Sequence, residues 1–156
     1  MSLYPLIDGN IWESVRKDHG QSPGVYFLRL RDEALSGFTA ISRLLATDTR
    51  GILYIGTSAK IPNRVGALKK AVCAAYGGIE GYSDRKVHGV GRMISDRFVR
   101  AFGSSRLWVE VQPYENPAGQ PYNHYEEELH QLESYAAIHG EFPPLNGPKP
   151  RRSAAL

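Results

Sequence analysis

At 156 residues, with 42% apolar and 22% charged side chains, the chain is sized for one globular domain that buries about 70% of its unfolded surface, which argues against wholesale disorder. No apolar run approaches the ~20 residues that span a bilayer, and the start lacks a charged head followed by an apolar stretch, so no membrane partner and a cytoplasmic location are expected. The single Cys73 excludes an internal disulfide and any cysteine-cluster metal site.

The net charge of +3 conceals a segregated distribution. Residues 60–106 hold ten Lys or Arg against three acids, and residues 107–148 hold seven Glu and no Lys or Arg. A cationic stretch beside an anionic one fits a surface facing a polyanion next to a separate acidic element. Lys69, Lys70, Arg85, Lys86, Arg92, Arg97 and Arg100 are the candidates for nucleic-acid backbone contacts, which would make binding fall steeply with salt.

In chain order, Met1-Ser2-Leu3 carries no structural signal, and the segment around Ile11-Trp12 and Val15 reads as a weakly marked helix. Residues 1–21 are expected to be an extension to a core at about 22–147. Val25 to Leu30, aromatic and β-branched after Pro23-Gly24, is predicted as a strand, and so is Ile52 to Gly56. Between them, the spacing of Phe38, Ile41, Leu44 and Leu45 predicts a short helix over 37–46. Pro62 suits the first turn of a helix running to about Tyr76. A helix is predicted over 91–102, where Met93, Ile94, Phe98, Val99 and Phe102 share a face, and a third strand over 106–114. The last helix is expected at 122–139 with Tyr125, Leu129, Leu132 and Ala136 inward, followed by an irregular tail on the body and a flexible basic tail at 148–156.

No nucleophile elbow, P-loop or paired-histidine zinc motif is present. What stands out is a set: Gly24-Val25-Tyr26 in the first strand, Tyr54-Ile55-Gly56 in the second, Arg64 eight residues after Gly56, a Glu on the last helix, and Asn146 in Pro143-Pro144-Leu145-Asn146. In this order and spacing, from about Gly24 to Asn146, the chain resembles the GIY-YIG endonuclease superfamily. The resemblance implies an α+β fold, a small three-stranded, mainly antiparallel sheet flanked by helices. It also implies an endonuclease that hydrolyses phosphodiester bonds, in DNA above all, with one Mg²⁺ or Mn²⁺ per site, in repair, restriction or a related setting.

Roles follow from the resemblance at the matching positions. Tyr26 and Tyr54 would line the catalytic surface, Arg64 would face the scissile phosphate, a Glu would bind the metal, and Asn146 would brace the site. The residue types suit the chemistry: arginine forks onto phosphate and keeps its charge, and a hard cation accepts one carboxylate when water and phosphate complete its shell. A tyrosine serves as base if its pKa falls from about 10 toward 7, a change of about 4 kcal/mol. In family members with a longer final helix apolar residues follow the metal-binding Glu four and seven positions later, and Leu132 and Tyr135 do so here for Glu128, which the resemblance thus implies as the metal ligand, with Glu126 second. The chain departs from the family at Leu68, where many members carry His or Tyr four residues after the helix Arg. His88 is the candidate to fill that gap. The alternative reading is a catalytically inactive nucleic-acid-binding module on the same fold.

Overall fold

A computed structural model describes residues 2–115 and 119–147. The elements are β1 (Ser2–Pro5), α1 (Ile11–His19), β2 (Gly24–Leu30), β3 (Ile52–Ser58), α2 (Ile61–Ala75), α3 (Gly89–Met93), α4 (Asp96–Ala101), β4 (Leu107–Pro113) and α5 (His124–His139). The fold is α+β, with a four-stranded, wholly antiparallel sheet in the order β1-β4-β2-β3. Among the described residues no helix is long and apolar enough to cross a membrane.

The fourth strand is β1, which pairs along β4 with Leu3 opposite Glu110 and Tyr4 opposite Val109. The segment expected as an extension instead completes the domain, since Leu6, Ile11 and Val15 are buried in the main core. A strand of four residues carries too few alternating positions for periodicity to register; its evidence is the ladder alone.

Period-2 alternation sorts each strand onto two faces. Tyr26, Leu28 and Leu30 of β2, with Val109 and Val111 of β4, face α1, α2 and α3 and pack on Val65, Leu68, Val72, Val90 and Ile94. Val25, Phe27, Ile52 and Ile55 face the other way, onto Leu132 and Tyr135 of α5. Both faces are covered, so β2 is buried along its whole length.

Three helix expectations need correction. Residues 37–46 form no helix; they make a strap joined by isolated bridges, Arg31 to Phe38 and Ile41 to Asp48. Phe38 serves as a platform for the Arg29 guanidinium, 3.4 Å from the ring centre, while Leu44 and Leu45 are exposed. The single helix expected over 91–102 is two short ones, because Ile94 is extended and the Ser95 hydroxyl accepts from the Phe98 N–H to start α4 afresh. Helix α5 begins at His124 under an Asn123 cap and buries Leu132, Tyr135 and His139, leaving Tyr125 and Leu129 exposed. The basic tail at 148–156 lies outside the described residues.

The chain after α5 lies along the free edge of β3. The Leu145 N–H donates to the Leu53 carbonyl at 2.8 Å. The Asn146 side chain then acts as a strand neighbour, accepting from the Ile55 N–H at 2.9 Å and donating to the Ile55 carbonyl at 2.7 Å. This closes an edge that would otherwise present unpaired backbone groups.

Candidate active site

The site forms where β2 and β3 run under the start of α2. Tyr26 pairs across the ladder with Gly56 and Leu28 with Tyr54, so both phenol rings point toward α2 with centroids 6.1 Å apart. Gly56 is needed here because a Cβ would strike both the Tyr26 hydroxyl end and the Tyr54 ring. After β3 the chain turns through residues 59–60 into α2, whose second residue is Pro62, and this early start brings Arg64 back over the strand. The Arg64 guanidinium lies close enough to both phenols for its charge to favour their ionised forms.

Leu68 is fully buried in the core and reaches no polar group. His88 occupies the space beside the phenols instead, 2.8 Å from the Tyr26 hydroxyl and with its ring 5.3 Å from that of Tyr54. It is held by a cap: its Nδ1 accepts from the Val90 N–H at 3.1 Å, at the start of α3. Gly91 permits this packing, since a Cβ there would collide with the Arg85 backbone and Ala71.

The tautomer follows. Burial, and then the charge of Arg64, lower the His88 pKa to about 3, so the ring is neutral at physiological pH. With Nδ1 accepting, its one proton sits on Nε2 and is donated to the Tyr26 oxygen.

The two phenols are not equivalent. Tyr26 is fully buried and cannot line a surface, which corrects the sequence expectation, whereas Tyr54 is partly open. Nor is either phenol acidified. Burial, followed by the neighbouring Tyr54, pushes the Tyr26 pKa well above its usual value despite Arg64. Burial and the Glu128 charge likewise raise that of Tyr54. The expected drop toward 7 is absent because desolvation outweighs one guanidinium. Burial works against the Arg64 charge too, but the phenols and Glu128 around it raise its pKa overall, so it stays a cation.

Glu128 reaches the same edge from the opposite face of the sheet. Thr57, next after Gly56, points toward α5, and its hydroxyl lies 3.2 Å from the Glu128 carboxylate and 2.6 Å from the His124 carbonyl. Burial draws the Glu128 pKa up, against the pull of Thr57 and Arg64. Glu126 is exposed, and Glu127 accepts from the Gln131 amide at 2.8 Å. Glu128 is thus on the edge shared with Leu132 and Tyr135, even though the inward face expected for the helix was rotated. Asn146 braces β3 without reaching the phenols.

No group of three or more His, Cys, Asp or Glu among the described residues is arranged to hold a metal ion. The donor set that does exist, one partly desolvated carboxylate next to hydroxyls, fits a hard cation that keeps most of its waters, and does not fit zinc. Thr57 was missed from sequence, although strand alternation after Tyr54 and Gly56 places it toward the acidic helix.

The candidate backbone contacts divide. Lys69 is buried and paired with Glu80 at 2.8 Å, and the Arg85 guanidinium donates to the Gly91 and Ile94 carbonyls, so both are engaged in holding the fold. Lys70, Lys86, Arg92, Arg97 and Arg100 are exposed. Comparison with known proteins finds no matching family model, no matching curated protein and no matching solved structure.

Proposed function

We propose that the chain is a divalent-metal-dependent endonuclease of the GIY-YIG type that hydrolyses phosphodiester bonds in DNA. One observation carries the reading: Tyr54, Arg64 and Glu128, from β3, α2 and α5, converge on one strand edge, with Tyr26 and His88 packed behind them. Glu128 accepts from the Thr57 hydroxyl, and among the described residues neither it nor Arg64 has an ion-pair partner, so a guanidinium for a phosphate and a carboxylate for a cation stand at the same edge.

In this reading Arg64 holds the scissile phosphate through its fork of donors. Glu128 would hold Mg²⁺ or Mn²⁺, which when bound supplies positive charge against the charge that develops on the phosphate oxygens. Tyr54 is the phenol that a water beside the phosphate can reach. Tyr26 and His88 orient Tyr54 from behind, and Asn146 keeps β3 in register.

A second reading has one observation in its favour. The phenol pKa values are raised and that of His88 is lowered to about 3, so neither the phenols nor the imidazole is tuned to accept a proton near neutrality. This favours the inactive nucleic-acid-binding module. Supercoiled plasmid with Mg²⁺ or Mn²⁺ separates the two. The nuclease nicks it, and Arg64→Ala and Glu128→Gln each lower the nicking rate by about 10²–10³-fold, the loss typical of one removed transition-state contact. Salt-sensitive binding by the wild type with no nicking in either metal supports the module instead.

A further inference from the structure

The first turn of α5 carries an aromatic pair that the proposed chemistry does not use. The rings of His124 and Tyr125 lie 4.1 Å apart and 35° from parallel. Tyr125 is 62% exposed, and Leu129, one turn further on, is 39% exposed. Glu128 follows Tyr125 by three residues, so the two are neighbours on the helix surface, and long helical side chains lean back toward the N-terminus. The His124 carbonyl and the Glu128 carboxylate share the Thr57 hydroxyl. The ring pair is therefore a neighbour of Glu128 at the end of β3.

Charge decides what can approach from each side. The α2–α4 side presents exposed Lys70, Lys86, Arg92, Arg97 and Arg100, while α5 presents exposed Glu126 next to Tyr125 and Glu133 two turns further along. A phosphate backbone is attracted to the first side and repelled from the second. An uncharged base has no such penalty, and an exposed aromatic face is what a base stacks on.

We propose that Tyr125, backed by His124, stacks an unpaired nucleobase next to the phosphate held by Arg64, making single-stranded or locally unpaired nucleic acid the preferred substrate. The proposal rests on the nuclease reading of the same site. An intact duplex keeps its bases stacked inside and its phosphates outside, so it would bring charge, not a base face, against the acidic helix.

The test is fluorescence anisotropy of the full chain at low salt with a chelator, using labelled oligothymidylate and a blunt duplex of equal length. The wild type should bind oligothymidylate more tightly than duplex. Tyr125→Ala should weaken oligothymidylate binding by about tenfold and leave duplex binding nearly unchanged, with Tyr125→Phe close to wild type. Equal loss on both probes, or wild-type affinity in Tyr125→Ala while Arg64→Ala weakens binding, overturns the stacking role and leaves the phosphate site standing. If the wild type binds neither probe, the nucleic-acid reading itself falls.

Discussion

The two faces of the sheet both bury polar groups, and they do so in opposite ways. Under α5 the groups are charged and partnered: Arg29 pairs with Glu110, Arg50 approaches the same carboxylate at 3.8 Å, and the Gln112 amide donates to it at 2.9 Å. Asp48 there accepts from two backbone N–H groups and from the Tyr135 hydroxyl at 3.0 Å. Under α2 the buried groups Tyr26 and His88 are neutral and bonded to each other, with the Arg64 charge beside them and Glu128 reaching the same strand edge from α5, neither charge in an ion pair among the described residues. A buried charge with a full set of partners has nothing left for a ligand, whereas charges at an open edge still do. The contrast sets the Arg29–Glu110 cluster apart as structural and supports the proposed chemistry at the edge where Tyr54, Arg64 and Glu128 meet.

Acid should act mainly on the α2 face. The His88 pKa is about 3 in the folded chain, below the ordinary 6.5, so the unfolded chain binds more protons between those values. Stability from this group is present above about pH 6.5 and is lost as pH falls toward 3, by up to about 5 kcal/mol. Denaturation of His88→Asn across this range should show a flatter pH dependence than wild type; parallel curves would contradict the buried, neutral ring.

Glu110→Ala should break the other face. It strands Arg29 in the interior and is expected to cost about 3–5 kcal/mol in urea unfolding, with nicking per folded molecule unchanged. Loss of nicking at unchanged stability would place catalysis on the wrong face.

A smaller effect is expected at Gly56→Ala, where the added methyl displaces the Tyr26 hydroxyl from His88. Overpacking of this kind costs about 1–3 kcal/mol, and here it should also suppress nicking, unlike Glu110→Ala. The smallest effects belong to the surface. Arg97→Ala and Arg100→Ala should each reduce the slope of log affinity against log salt by about 1, without affecting thermal stability. Lys69→Met, at a side chain already paired with Glu80, should leave that slope unaltered.

Much of this arrangement was readable before folding was considered. Strands β2, β3 and β4 and helix α2 follow from alternation, glycine punctuation and Pro62. Tyr54, Arg64, Glu128 and His88 were all singled out, and the structure brings them together at one strand edge. The misreadings have separate causes. Residues 37–46 have helical apolar spacing, but Phe38 is taken up by the Arg29 guanidinium, and Leu44 and Leu45 stay exposed beside Gly140 at the end of α5. Helix α5 was assigned the face of Tyr125 and Leu129 because both are apolar, yet the face it buries is that of Leu132, Tyr135 and His139.

Local sequence determined which segments extend, where glycines let rings approach the backbone, and which residue types were available for phosphate and cation chemistry. Those are properties of neighbouring residues, set by sterics over a few positions. Tertiary structure alone decided that Tyr26 is sealed and Tyr54 open, that both phenols are raised instead of acidified, and that Lys69 and Arg85 are engaged within the fold. Each depends on desolvation and on partners brought from distant parts of the chain, as His88 is brought to Tyr26 across 62 positions. Burial is a sum over the whole packed molecule, and no local pattern contains it.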